Sequence, residues 1–137
     1  MRSLALRIAL SFLLPACPSG SDGQCAIDDD CAGTSVCART SECLPASEVR
    51  VVRVTWTIRG MPASDATCAQ TPDLYVMFAG TGIQDTFGYA PVPCKAGLFT
   101  VDKLPRRFVS AEVGAENRFM ETQALDANGN AAFDLFP

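Results

Sequence analysis

Seven cysteines stand in a chain of 137 residues that contains no histidine. Thiols therefore carry most of the chemistry on offer: oxidation to disulfides, coordination of a soft metal, or covalent modification. Cys25, Cys31, Cys37 and Cys43 follow one another with five residues between neighbours, Cys68 and Cys94 stand apart, and Cys17 closes an apolar run. Structural zinc pairs come at closer spacing, and there is no Cys-x-x-Cys redox pair. The four evenly spaced thiols are therefore read as disulfide partners, and no metal site is expected. Their spacing alone does not choose among the three connectivities that four cysteines allow. The missing histidine also removes His general bases and the Ser-His-Asp constellation.

Oxygen-bearing clusters offer less. Asp28-Asp29-Asp30 presents the hard oxygens that Ca2+ prefers, but no further ligands are spaced to complete a site, so the run is read as a solvated acidic loop. Asp126-x-Asn128-x-Asn130 begins like a calcium loop and then departs from it, with Ala131 at the sixth position where Gly is needed and Pro137 at the twelfth where Glu is needed. It reads as a turn. Gly80-Thr81-Gly82 is too short for a phosphate loop and precedes no helix-like sequence, so it too reads as a turn. Among aromatics, Trp56 falls on the apolar side of its strand and is assigned to the core, Tyr89 is left unassigned, and Tyr75, out of phase with Leu74 and Val76, is the candidate ligand contact. Lysine occurs only at Lys95 and Lys103, Ser-x-x-Lys is absent, and the carboxylates are scattered. With no large cleft-forming insertion, the chain is not expected to be an enzyme, and no cofactor is implied.

The chain opens with Arg2 and Arg7 and runs through Ile8-Ala9-Leu10-Ser11-Phe12-Leu13-Leu14 to small residues. A basic start, an apolar core too short to span a bilayer and a small-residue cut site form the pattern of an export signal. Leu14-Pro15-Ala16-Cys17 resembles the lipobox of bacterial lipoproteins, although Pro15 departs from the small or hydroxylated residue usual there. The resemblance implies that residues 1–16 are a cleaved signal peptide and that Cys17 carries a diacylglyceryl thioether. The protein would then face the periplasm or the cell surface, anchored to a bacterial membrane, with the outer membrane expected. At roughly 0.8 kcal/mol per buried methylene, two or three acyl chains anchor firmly where one does not. An odd cysteine in an exported chain needs its own explanation, and lipidation of Cys17 leaves six to pair. Without the leader, nine basic residues face 15 acidic ones, a net charge of about −6. That balance suits neither nucleic acid nor anionic headgroups, so membrane attachment must be covalent.

Residues 17–24, rich in Ser and Gly, read as a flexible linker behind the anchor. Residues 25–44 form a disulfide-rich module, with Ile27 and Val36 its clear apolar residues; it is too poor in them to build a core without covalent staples. Its pattern, with Asp29-Asp30-Cys31, Gly33, Cys37 and Cys43, resembles the small cysteine modules of myxobacterial-type lipoproteins and of disulfide-rich animal secreted proteins. That resemblance implies Cys25–Cys37 and Cys31–Cys43. Leu44-Pro45-Ala46-Ser47 reads as a hinge.

Residues 48–137 are strand-like. Val52, Val54, Trp56 and Ile58 alternate with Arg53, Thr55, Thr57 and Arg59, the period of a half-buried strand. Further strands are expected at 74–79, 86–90, 98–101, 108–113, 119–125 and 131–136, the last two joined as a hairpin through Asn128-Gly129. Cys68 and Cys94 remain and should pair with each other, a cross-link of roughly 3–4 kcal/mol. Gly97-Leu98-Phe99-Thr100-Val101-Asp102-Lys103-Leu104-Pro105, leading into Phe108 and Val113, resembles the core of transthyretin-like and carboxypeptidase-regulatory-like β-sandwiches, with Arg106-Arg107 where those have Gly. The expected fold is all-β: a sandwich of about seven strands, preceded by the cysteine module and a cleaved signal peptide. The expected function is a non-catalytic binding or structural module of the cell envelope, its partner an unidentified protein or glycan. The alternative is a soluble secreted ligand or protease inhibitor acting through the cysteine module.

Overall fold

The alternation from Val52 to Ile58 lies in a ten-residue strand, Val49–Ile58, whose even-numbered apolar side chains are buried. The computed structural model describes residues 24–82 and 84–137. In them run β1 (Ser35–Cys37), β2 (Cys43–Pro45), β3 (Val49–Ile58), β4 (Met61–Pro62) and β5 (Asp73–Gly80), then β6 (Thr86–Pro93), β7 (Leu98–Pro105), β8 (Phe108–Ala115), β9 (Phe119–Ala124) and β10 (Asn130–Leu135). All seven expected strands are present. The count rises to ten because β1 and β2 pair inside the cysteine module and the two-residue β4 folds back on β3.

One sheet is built on β3, which pairs in parallel with β10 and antiparallel with β7 and β4; the other is antiparallel throughout, in the order β6-β5-β8-β9. Both contribute to one apolar core, with Val54, Trp56 and Phe133 from the first sheet and Val76, Phe78 and Val113 from the second. Burial of each such aliphatic or phenyl side chain contributes about 1.5–3 kcal/mol, which makes this sandwich-like core the main source of stability. Trp56 is buried, and its indole N–H donates to the Cys94 carbonyl at 2.7 Å, so the ring enters the core without an unpaired polar atom.

Strand β7 runs four residues beyond its expected end. Val101 and Leu104, three apart, both face the core because the ladder to β3 shifts by one residue between them, where Lys103 adopts φ 49°. A bulge of this kind breaks the period of two. Strand β6 likewise extends through Pro91 and Pro93, which lack a ladder donor and are accommodated because β6 is an edge.

The expected β9–β10 hairpin is corrected by the structure. β9 pairs with β8 and β10 with β3, so Asp126–Asn130 carries the chain from one sheet to the other. The turn itself is as tight as Asn-Gly implies: Gly129 sits at φ 84°, and the Asp126 carboxylate accepts the N–H groups of Asn128 and Asn130 at 2.9 and 2.7 Å. Turn chemistry fixes the bend but not the pairing of the strands it joins. Here Arg50 sets the destination, donating to Asp126 O and, at 2.8 Å, to Phe108 O, while Arg53 N–H donates to Gly129 O at 2.9 Å.

Candidate functional site

The most organised polar constellation lies where the cysteine module meets the β7–β8 end of the sandwich. The module is cross-linked Cys25–Cys37 and Cys31–Cys43, and Cys68–Cys94 ties the loop after β4 to the end of β6. The sulfurs of Cys25, Cys31 and Cys43 approach within 4.8 Å of one another, a closeness that two adjacent disulfides produce without any ion. Three side chains of the module reach across to the sandwich. Asp28 pairs with Lys103 Nζ at 2.7 Å, Arg39 Nε donates to Asp102 at 2.7 Å, and Glu42 accepts from Arg107 Nη2 at 2.6 Å. Arg107 also reaches Asp85 through Nε at 3.0 Å and lies over the Phe108 ring. The segment expected to act as a hinge is a short 3-10 turn, Ala46–Glu48, held by Arg106, whose side chain donates to Ser47 O and whose backbone N–H donates to Glu48 O. These contacts tie the two parts together.

The acidic run has a structural use that its reading as a solvated loop did not include. Asp28 accepts from Lys103 and from Cys37 N–H, and both bonds hold its carboxyl below the usual range. Asp30 accepts the N–H groups of Ala26 and Ile27 at 2.8 and 3.0 Å, which lowers it similarly. Partial burial pushes Glu42 up, but the Thr40 hydroxyl and Arg107 more than offset it, leaving it low as well. Asp126 is lowered by the backbone and side chain of Asn130. These four carboxyls are thus held as anions, which suits ion pairing and turn capping and disfavours proton donation.

Trp56, Tyr75 and Tyr89 do not share one exposed face. Trp56 is in the core; Tyr89 faces inward from β6, with its ring 4.9 Å from Phe99 and 5.3 Å from Phe87. Tyr75 is on the outer face of the second sheet, where its ring occupies the space that a Cβ on Gly114 would need. It borders a shallow depression of about 250 Å3 with Arg118, Phe119 and Met120. Burial, then Glu112, raises the Tyr75 phenol above its ordinary value, so it remains a neutral hydrogen-bonding group. A larger open groove of about 500 Å3, lined by Ile58, Arg59, Met61, Thr67 and Gln70, adjoins the Tyr75 depression through Arg118, which donates to Gln70 O and Thr71 Oγ1.

Sequence reasoning missed the junction because its partners are 63 to 75 residues apart, as in Arg39–Asp102 and Asp28–Lys103. The one local signal was the doublet Arg106-Arg107, where the resembled sandwiches carry Gly. Residues 1–16, expected as a signal peptide, Cys17 and most of the expected linker lie outside the described residues. Gln24, the last linker residue, already bridges to Glu42. Among the described residues no helix is long and apolar enough to cross a membrane. No family model matches the chain, and neither a curated protein nor a solved structure matches it.

Proposed function

We propose that this chain is an exported lipoprotein, held to a bacterial membrane by lipid on Cys17, whose folded part serves the cell envelope as a non-catalytic binding or structural module. One observation carries the reading: the six cysteines from Cys25 to Cys94 all pair with one another, so Cys17, at the end of the apolar leader, has no cysteine left in the chain to pair with. Three disulfides also fit an oxidising compartment outside the cytoplasm. Use of Asp28, Arg39 and Glu42 to dock on the sandwich favours a module that works with the sandwich over one acting alone. The half-exposed Tyr75, beside Phe119 and Met120, offers the amphipathic surface on which a protein or glycan would rest.

The test is Cys17→Ser in an export-competent bacterial host, followed by fractionation. The expected result is transfer of the protein from the membrane to the soluble fraction. Membrane attachment that survives the substitution would count against the anchor.

A further inference from the structure

Strand β9 is the end strand of its sheet. None of Phe119–Ala124 is buried, whereas the inward residues of the neighbouring edge β10, Ala131, Phe133 and Leu135, are. Phe119 packs against the apolar core and Glu121 is half-buried, while Met120, Thr122, Gln123 and Ala124 are exposed, so the outer face and free edge of β9 are open to water. Its ladder to β8 is regular, from Ser110↔Ala124 to Ala115↔Phe119, without a bulge. Among the described residues, no backbone group of Phe119–Ala124 has a backbone partner other than β8. An exposed edge with free donors and acceptors is a template for another strand, and proteins usually blunt it with Pro, Lys or a bulge. The opposite edge of the sheet follows that rule, since β6 carries Pro91 and Pro93 and a register shift against β5. The β7 edge is partly covered, with Arg39 N–H donating to Lys103 O. β9 carries no Pro, Lys or bulge, and its one charge is Glu121 on the inner face.

We propose that β9 docks a second copy of this chain, antiparallel β9 to β9, joining two four-stranded sheets into one across a two-fold axis. The occupant is argued from self-complementarity. The pairings with β8 and β5 place Met120, Thr122 and Ala124 on the outer face and Phe119, Glu121 and Gln123 on the inner one. A two-fold ladder must pair residues of the same face, so it centres on a residue. Centred on Glu121, it sets that carboxylate opposite its own copy, and like charges directly opposed are destabilising. Centred on Thr122, it pairs threonine with threonine, Met120 with Ala124, and Glu121 with Gln123, a carboxylate against an amide that can donate to it. Every pair in that register is compatible, and Met120, 66% exposed, gains an apolar neighbour. The mode is strand addition at a sheet edge, applied to identical partners. It does not depend on how the chain is anchored.

The experiment is sedimentation of the isolated full chain over a range of concentrations, for the natural sequence and two variants. Thr122→Lys sets two ammonium groups opposite each other at the axis, while facing Glu112 within the chain, so the fold is retained. Gln123→Lys places a lysine opposite Glu121 in each half. The expected results are a reversible dimer for the natural chain, roughly fivefold or more weaker with Thr122→Lys and tighter with Gln123→Lys. Thermal melts would check that both variants fold. A natural chain that stays monomeric throughout would overturn the proposal. So would a dimer indifferent to Thr122→Lys, or one weakened by Gln123→Lys.

Discussion

Removal of the Cys68–Cys94 cross-link by the double substitution Cys68→Ala, Cys94→Ala gives the most quantitative test of the fold. The bond closes a separation of 26 residues, which contains all of β5 and β6. In the chain-entropy description, a loop of that length restricts the unfolded chain by about 3–4 kcal/mol. Both residues are buried, at 3% and 0% exposure, so truncation also removes packed sulfur, and the loss should sit at the upper end of that range. For a sandwich of this size, each kcal/mol shifts the melting temperature by about 4–8 °C, so a drop of roughly 12 °C or more is expected. Urea titration of the two proteins separates the causes. If the cross-link acts on the unfolded state, the denaturant slope must rise in the variant, because its unfolded chain is freer and exposes more surface. A loss below about 1 kcal/mol with an unchanged slope would refute the reasoning, since it would mean that the loop gains nothing from covalent closure.

Two further outcomes follow from the geometry. Gly129→Ala forces a Cβ at φ 84° against the Val51 carbonyl, and it should cost about 1–3 kcal/mol in urea melts. The neighbouring change Asn128→Ala, at a residue outside the left-handed region, should cost less in the same melts. The junction should be sensitive to acid and to salt. Asp28 and Glu42 are held below their ordinary values of 3.8 and 4.5, so the stability they contribute is complete above those values and is lost as pH falls through the lower folded-state values. Melting temperature should therefore be flat from about pH 5 to 8 and fall below about pH 4. High salt should lower the melting temperature at neutral pH as well, because half-exposed ion pairs are screened by mobile ions.

Much of the sandwich is legible because its strands keep the period of two. Val52 to Ile58, Leu74 to Phe78 and Ala131 to Leu135 each bury alternate residues, as their sequences imply. The departures share a cause: they concern which segments meet, a property no local pattern carries. Asn128-Gly129 announces a turn, and the turn is there, but Arg50 and the parallel pairing of β10 with β3 decide that it crosses between sheets. β7 reads short because the bulge at Lys103 interrupts its alternation. Pro, Ala and Ser suggest a hinge at Leu44–Ser47, and composition does not register that Arg106 holds that segment from 59 residues away. Phase alone puts Tyr75 on the outer face, yet the glycine beneath its ring, Gly114, is a neighbour only through the β5–β8 register.

The central claim is that one cysteine anchors the protein while the other six hold its fold. Intact mass spectrometry of the mature protein from membranes, with and without alkylation, tests both halves together. The account predicts a chain that begins at an acylated Cys17 and has no thiol open to alkylation before reduction, and six after it. A soluble product that begins beyond Cys17 would contradict the anchor, and free thiols among Cys25 to Cys94 would contradict the cross-linked fold.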